Sequence, residues 1–188
     1  MKIRDHLKNA WELTLEYIAP LIVVTLVMFA VWFGSFGILA PVTLAGYIHS
    51  LLRLTREGRD PQVKDLFAHL NLFLPLFGFT ILVAAAVLTG FAFLVFPGIA
   101  ITLLVAFFCL FVLPLMTDQH LGLIAALRRS AAMAVQGSIV EHAAVVLITI
   151  GILALGSSVF IGSLFTQPLA TIFCLSVYSD KAASGTQS

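Results

Sequence analysis

Three stretches of this chain contain no lysine, arginine, aspartate or glutamate: Tyr17–Leu52, Leu66–Thr117 and His142–Ser179. They run 36, 52 and 38 residues. One helical crossing of a bilayer takes about 20 apolar residues, so each stretch is long enough for two. Each is also interrupted near its middle: by Gly34, Gly37 and Pro41, by Pro97-Gly98, and by Gly162 through Pro168. Proline lacks a backbone donor and clashes with the preceding turn, while glycine tolerates tight turns. The pattern predicts three helical hairpins.

Composition agrees with a lipid environment. Hydrophobic residues make up 61% of the chain and charged residues 10%, against about 25% charged in soluble domains. A water-covered fold with a mean hydropathy of +1.09 would expose apolar area at roughly 25 cal/mol per Å². The expected class is therefore all-α: a polytopic integral membrane helical bundle of about six transmembrane helices. The spans are expected at 18–36, 38–54, 73–96, 97–116, 140–161 and 164–179. Misreading either hairpin would leave four.

Charge placement gives an orientation. The ten Lys and Arg fall in four places: the N-terminal segment, Arg53–Lys64, Arg128–Arg129 and Lys181. The three hairpin tips carry no charge. Six spans put all four basic places on one side, which the positive-inside rule assigns to the cytoplasm with both termini. Lys2, Arg4 and Lys8 precede an apolar run, as in a secretory leader. Asp5, Glu12 and Glu16 interrupt the basic region, however, and the apolar run is longer than a leader's, so a retained anchor is expected.

Each hairpin follows an amphipathic segment. Ile3, Leu7, Ala10, Trp11, Thr14 and Ile18 share one helical face. Val63, Leu66, Phe67 and Leu70 share a second, with Asp60 placed to cap that helix and Pro61 suited to its first turn. Ile124, Leu127, Ala131 and Ala134 share a third, with Arg128 and Arg129 off the face and Asp118 placed to cap the start. Leu7, Leu66 and Leu127 are spaced by 59 and 61 residues. Pro41, Pro97 and Pro168 then open the second half of each hairpin. A repeat of about 60 residues fits this spacing, and repeats are common in transport folds. The domain expectation is one transmembrane unit over 1–180, with repeats 1–58, 59–117 and 118–180, and a short polar tail at 181–188. The amphipathic segments are expected in the headgroup layer, and Trp11 and Tyr17 fit an aromatic belt.

The residue types needed for chemistry are scattered. His6, His49, His69, His120 and His142 all map near the basic side, without HxxxH or HExxH spacing, so no metal site is expected. Glu141 and His142 sit together at a span boundary, where a proton site is conceivable. No serine stands in GxSxG or SxxK, and no phosphate-binding glycine loop appears. Cys109 and Cys174 lie in apolar runs and read as small hydrophobes. No cofactor is expected, and a net charge of +1 gives no field for nucleic acid. Small residues recur at helical spacing: Gly46 with Ser50, Ala86 with Gly90, Gly98 with Thr102 and Ala106, and Ala154 with Ser158 and Gly162. Gly46, Gly90, Gly98 and Gly162 are the expected helix-packing positions. Packing within one copy is their ordinary use, and self-association is the sharper one. Trp11, Arg53, Arg56, Arg128 and Arg129 are the expected contacts for lipids or a protein partner.

Pro97-Gly98-Ile99 opens a span that ends near Asp118. Ala126-Leu127-Arg128-Arg129-Ser130 and another hairpin follow. Upstream, Pro41 and Gly46 precede a basic loop ending in Val63-Lys64-Asp65-Leu66-Phe67. Over about residues 40–180 this resembles an uncharacterised bacterial multi-span family related to the membrane domain of some glycerophosphodiester phosphodiesterases. The resemblance implies a bacterial cytoplasmic membrane location, an unassigned role and no catalytic residues to carry over.

The leading functional expectation is a non-enzymatic scaffold or accessory subunit, interacting with membrane lipids and with a membrane protein or a second copy. The alternative is a transporter or channel for a small neutral or lipidic solute. An enzyme comes third and would need His69, Asp118 and His120 to converge.

Overall fold

The computed structural model describes residues 3–93, 95–136, 138–157 and 160–184. Among them there is no strand. The elements in order are α1 (Ile3–Glu16), α2 (Ile18–Gly34), α3 (Ala40–Glu57), two 3-10 segments (Val63–Phe67 and Leu70–Leu72), α4 (Phe73–Phe93), α5 (Val95–Cys109), α6 (Val112–Asp118), α7 (Leu123–Val135), α8 (Ile139–Ser157) and α9 (Phe160–Ser184). The fold is all-α. Three helical runs are long and apolar enough to cross a membrane: 63–93, 95–118 and Ile139–Ser157. The bent pair α1 and α2, which meet at 88°, would make a fourth if counted as one span.

Local chemistry sets several of these ends. Pro41 sits in the first turn of α3, where a missing N–H costs nothing. Gly58 ends that helix in the left-handed region, at φ 64°, with its N–H returning to the Leu54 carbonyl. The second amphipathic segment is not an α-helix. It forms the 3-10 turns, starts at Val63 after Gln62, and takes no side-chain cap, so Asp60 does not cap it. Gly122, not Asp118, precedes α7. Pro168 lies inside α9, which already begins at Phe160. The third hairpin therefore turns earlier than the Gly162–Pro168 stretch suggests. α9 also continues through Lys181 to Ser184.

One span expected as continuous is broken. α5 stops at Cys109 and α6 starts at Val112. Pro114 disfavours a continuous helix here, since its ring would meet the carbonyl of Leu110 and it donates no hydrogen bond to it.

The inner helices of the bundle are α3, α6 and α9. α3 packs against α2, α4, α6 and α9 and buries ten residues, including Tyr47, Leu51 and Leu54. α6 and α9 add Phe111, Leu115, Met116, Phe173 and Tyr178 to the same core. The first helices are peripheral. On α4, Leu76 and Gly90 are buried, whereas Leu82 is 67% exposed. Together with Leu74, Leu88, Phe93 and Phe96 it gives an apolar face larger than a water-soluble monomer exposes.

The amphipathic segments close the ring in cyclic order. The first 3-10 segment packs on α3, α7 on α5 and α6, and α1 on α9. Each lies on the inner helix of the hairpin before it, and α1 lies on the last. Gly46 permits the first of these contacts, since a Cβ there would collide with the backbone carbonyls of Asp65 and Leu66.

Candidate functional site: the polar end of the bundle

The inner helices α3, α6 and α9 end together, and their last turns carry a shared polar knot. Arg56 donates to both oxygens of Asp118 at 2.5 and 2.9 Å. The Tyr178 hydroxyl donates to Asp118 Oδ2 at 2.9 Å. Gln119 Nε2 donates to the Tyr178 oxygen at 3.2 Å. A planar guanidinium facing a carboxylate makes the strongest and most directional pair available to side chains. Here the carboxylate serves all three inner helices.

A second polar group surrounds the 3-10 segment. Asp65 is buried and accepts from Ser50 Oγ at 3.0 Å and from Arg59 at 3.2 and 3.3 Å. Beside it the rings of His49 and His69 meet edge to face with centroids 4.7 Å apart. His69 is buried, and its Nε2 is the one buried side-chain nitrogen or oxygen without a hydrogen-bond partner among the described residues. Arg53 and His120 lie within electrostatic reach of both rings.

A third group repairs the break before α6. Ser130 Oγ donates to the Phe108 carbonyl at 2.6 Å and accepts from the Phe111 N–H at 3.3 Å. His142 Nε2 donates to the Phe107 carbonyl at 2.8 Å. That bond requires the proton on Nε2, which leaves Nδ1 to accept from Lys181 Nζ at 3.3 Å. Lys181 also donates to the Met133 carbonyl at 3.0 Å. The Phe107 and Phe108 carbonyls and the Phe111 N–H, beside the break between α5 and α6, are thus satisfied by α7 and α8. His142, expected at a wet boundary, is fully buried in this role.

The sequence-predicted residues are distributed among these groups. Arg56 is engaged by Asp118 inside the chain, whereas Arg53 makes no ion pair among the described residues. Arg128 and Arg129 likewise have none, and they line an open hollow on α7 with Ile124, Ala125 and Ala132. Trp11 packs edge to face on Phe165 of α9, with centroids 5.5 Å apart. His6 fastens α1 to the same helix through Ser176 at 2.7 Å and Asp180 at 3.2 Å. His69 meets His49 edge to face while Asp118 is held by Arg56 and Tyr178, and His120 lies within electrostatic reach of both His69 and Asp118.

The predicted packing glycines all sit at close approaches. Gly90 and Gly98 face each other between α4 and α5, where a Cβ on Gly90 would lie 3.1 Å from the Gly98 Cα. A Cβ on Gly98 would meet the Phe91 ring at 2.5 Å. Gly162 lies against the Gly156 carbonyl, 3.0 Å from where its Cβ would be. Ser158 lies outside the described residues. Sequence reasoning named Ser50 only for packing and Asp65 and Ser130 only within motifs, missing their hydrogen-bond roles, and it did not name Tyr178. The one signal available for Ser130 was Pro114, because a proline inside an apolar run frees carbonyls that something must satisfy.

Among the described residues, no three His, Cys, Asp or Glu side chains are grouped so as to hold a metal ion. No family model, curated protein or solved structure matches the chain.

Proposed function

We propose that the chain is a non-enzymatic scaffold or accessory subunit of a bacterial cytoplasmic membrane, crossing it six times with both termini in the cytoplasm. The observation that carries this reading is how the polar groups inside the hairpin helices are used. Thr25, Thr80, Thr102, Thr149 and Thr171 each donate to a carbonyl four residues back on their own helix. Such hydroxyls find their partner within their own helix and need no polar path. The side-chain bonds that link separate elements concentrate at the basic end, where they lock α3, α6 and α9 together.

In this reading α4, α5 and α8 face lipid, and α3, α6 and α9 lie inside them. The motifs shared with the multi-span family related to phosphodiesterase membrane domains support the same location. α7 supplies the docking face. Arg128 and Arg129 stand beside exposed Ile124, and α7 carries no acidic residue. A protein partner with an acidic, partly apolar segment fits that face.

The test is co-purification of the full chain from membranes in a mild detergent. A stable partner or self-association, lost in Arg128→Gln/Arg129→Gln, is the expected result. A monodisperse monomer that retains no partner overturns it.

One observation favours the transport alternative. Phe29, Trp32, Phe33 and Phe36 line an apolar crevice with Ser157 and Ser163, between the far ends of the first and third hairpins. A lipidic solute fits its chemistry. Solute flux in proteoliposomes equal to that of empty vesicles, across a broad panel, removes that reading.

A further inference from the structure

We propose that His49, Arg53, His69 and His120 form a binding site for a phosphate-bearing anion at the basic end of the bundle. The argument begins with His69. A buried ring nitrogen without a partner forfeits the hydrogen bond that water would have supplied, and native folds rarely leave one so. His69 is 8% exposed, and its Nε2 is in that position. A ligand acceptor at Nε2 selects the tautomer with its proton there and supplies the missing bond.

The neighbours decide the sign of that ligand. Arg53 and Arg59 are both within reach of His49. Asp65 neutralises Arg59. Arg53 remains as a fixed positive charge with no ion-pair partner among the described residues. A metal ion is disfavoured there, since no three His, Cys, Asp or Glu side chains among the described residues are grouped so as to hold one. An anion gains one charge-assisted bond from Arg53 and neutral donors from the imidazoles.

Exposure is graded across the four residues: His120 is open to solvent, His49 and Arg53 are half-buried, and His69 is buried. His120 also holds a positive φ of 51°. That conformation is costly for a residue with a side chain and recurs at ligand-binding positions. Phosphate is chosen because its several oxygens can take the Arg53 fork and an imidazole N–H together. Its source is an anionic lipid headgroup or a free phosphate.

The experiment uses the purified full chain in neutral detergent. Inorganic phosphate is titrated calorimetrically, and retention of added phosphatidylglycerol is read by native mass spectrometry. Saturable phosphate binding identifies a soluble ligand. Lipid retention without phosphate binding identifies the headgroup. Either supports the site if Arg53→Gln and His69→Asn weaken it roughly tenfold or more, Arg53→Lys, which keeps the charge but loses the fork, weakens it less than Arg53→Gln, and Arg128→Gln leaves it unchanged. The Arg128→Gln arm separates this site from the α7 face of the scaffold reading. Binding of neither ligand by the folded protein overturns the proposal. So does binding that is undiminished in Arg53→Gln, or zinc binding in place of phosphate.

Discussion

Arg56 and Asp118 face each other across two hydrogen bonds of 2.5 and 2.9 Å, so the last turn of α3 is fastened to the last residue of α6. They are 62 residues apart, and Tyr178, which completes the group, is 60 residues beyond Asp118. The three inner helices thus contribute one side chain each from corresponding ends. Arg56→Gln is expected to lower stability by about 1 kcal/mol, because a partly exposed pair is screened by solvent. Tyr178→Phe and Asp118→Asn should be non-additive with it in unfolding measured in mixed micelles. Additive effects would mean that the three groups act independently.

Gly46→Ala should destabilise by about 1–3 kcal/mol, since the new methyl meets backbone carbonyls that cannot rotate away. Gly78 has nothing within 4 Å of its Cβ position. Gly78→Ala should be neutral or stabilising by up to about 1 kcal/mol. Equal unfolding midpoints for the two variants would refute this contrast.

Ser130→Ala leaves the Phe108 carbonyl and the Phe111 N–H without their shared partner and should cost about 1–3 kcal/mol. If Pro114 causes the break, Pro114→Ala lets the helix satisfy its own carbonyls. The double variant should then recover part of the loss. No recovery would point to a break imposed by packing.

Single cysteines at Gln62, Ser138 and Phe36, with Cys109 and Cys174 replaced, report topology. The six-span reading expects an impermeant thiol reagent to label Gln62 and Ser138 from one side and Phe36 from the other. Labelling of Gln62 and Ser138 from opposite sides excludes it.

α1 is held on α9 by His6 and Trp11. His6→Ala should loosen it by about 1 kcal/mol and hasten proteolysis near Tyr17, where α1 and α2 meet at 88°. An unchanged digestion time course would show that apolar burial around Ala10 suffices.

Much of the helical framework is legible in the sequence. Charge-free runs mark the hairpins because a buried charge in lipid is costly, and Pro41 and Gly58 bracket α3 through backbone geometry alone. Helix position within the bundle is less legible, because α3 and α4 are both apolar and differ in which tertiary faces they meet. The third hairpin was misplaced because Gly162 and Pro168 resemble a turn. Gly162 is used for contact with Gly156 instead, and Pro168 is tolerated within α9. His142 read as a boundary residue because its role depends on a carbonyl 35 residues away. The polar knot was invisible for the same reason: nothing local to Arg56 names Asp118 or Tyr178 as its partners.

The placement of α1 on α9 has a consequence for how the protein is made. α1 is made before α9, the helix on which it rests, so this contact cannot form until α9 has been made. His6 meeting Asp180 also brings the two ends of the described chain close together. A circular permutant that joins these ends and opens the chain at Tyr17 would let every amphipathic segment follow its own hairpin in sequence.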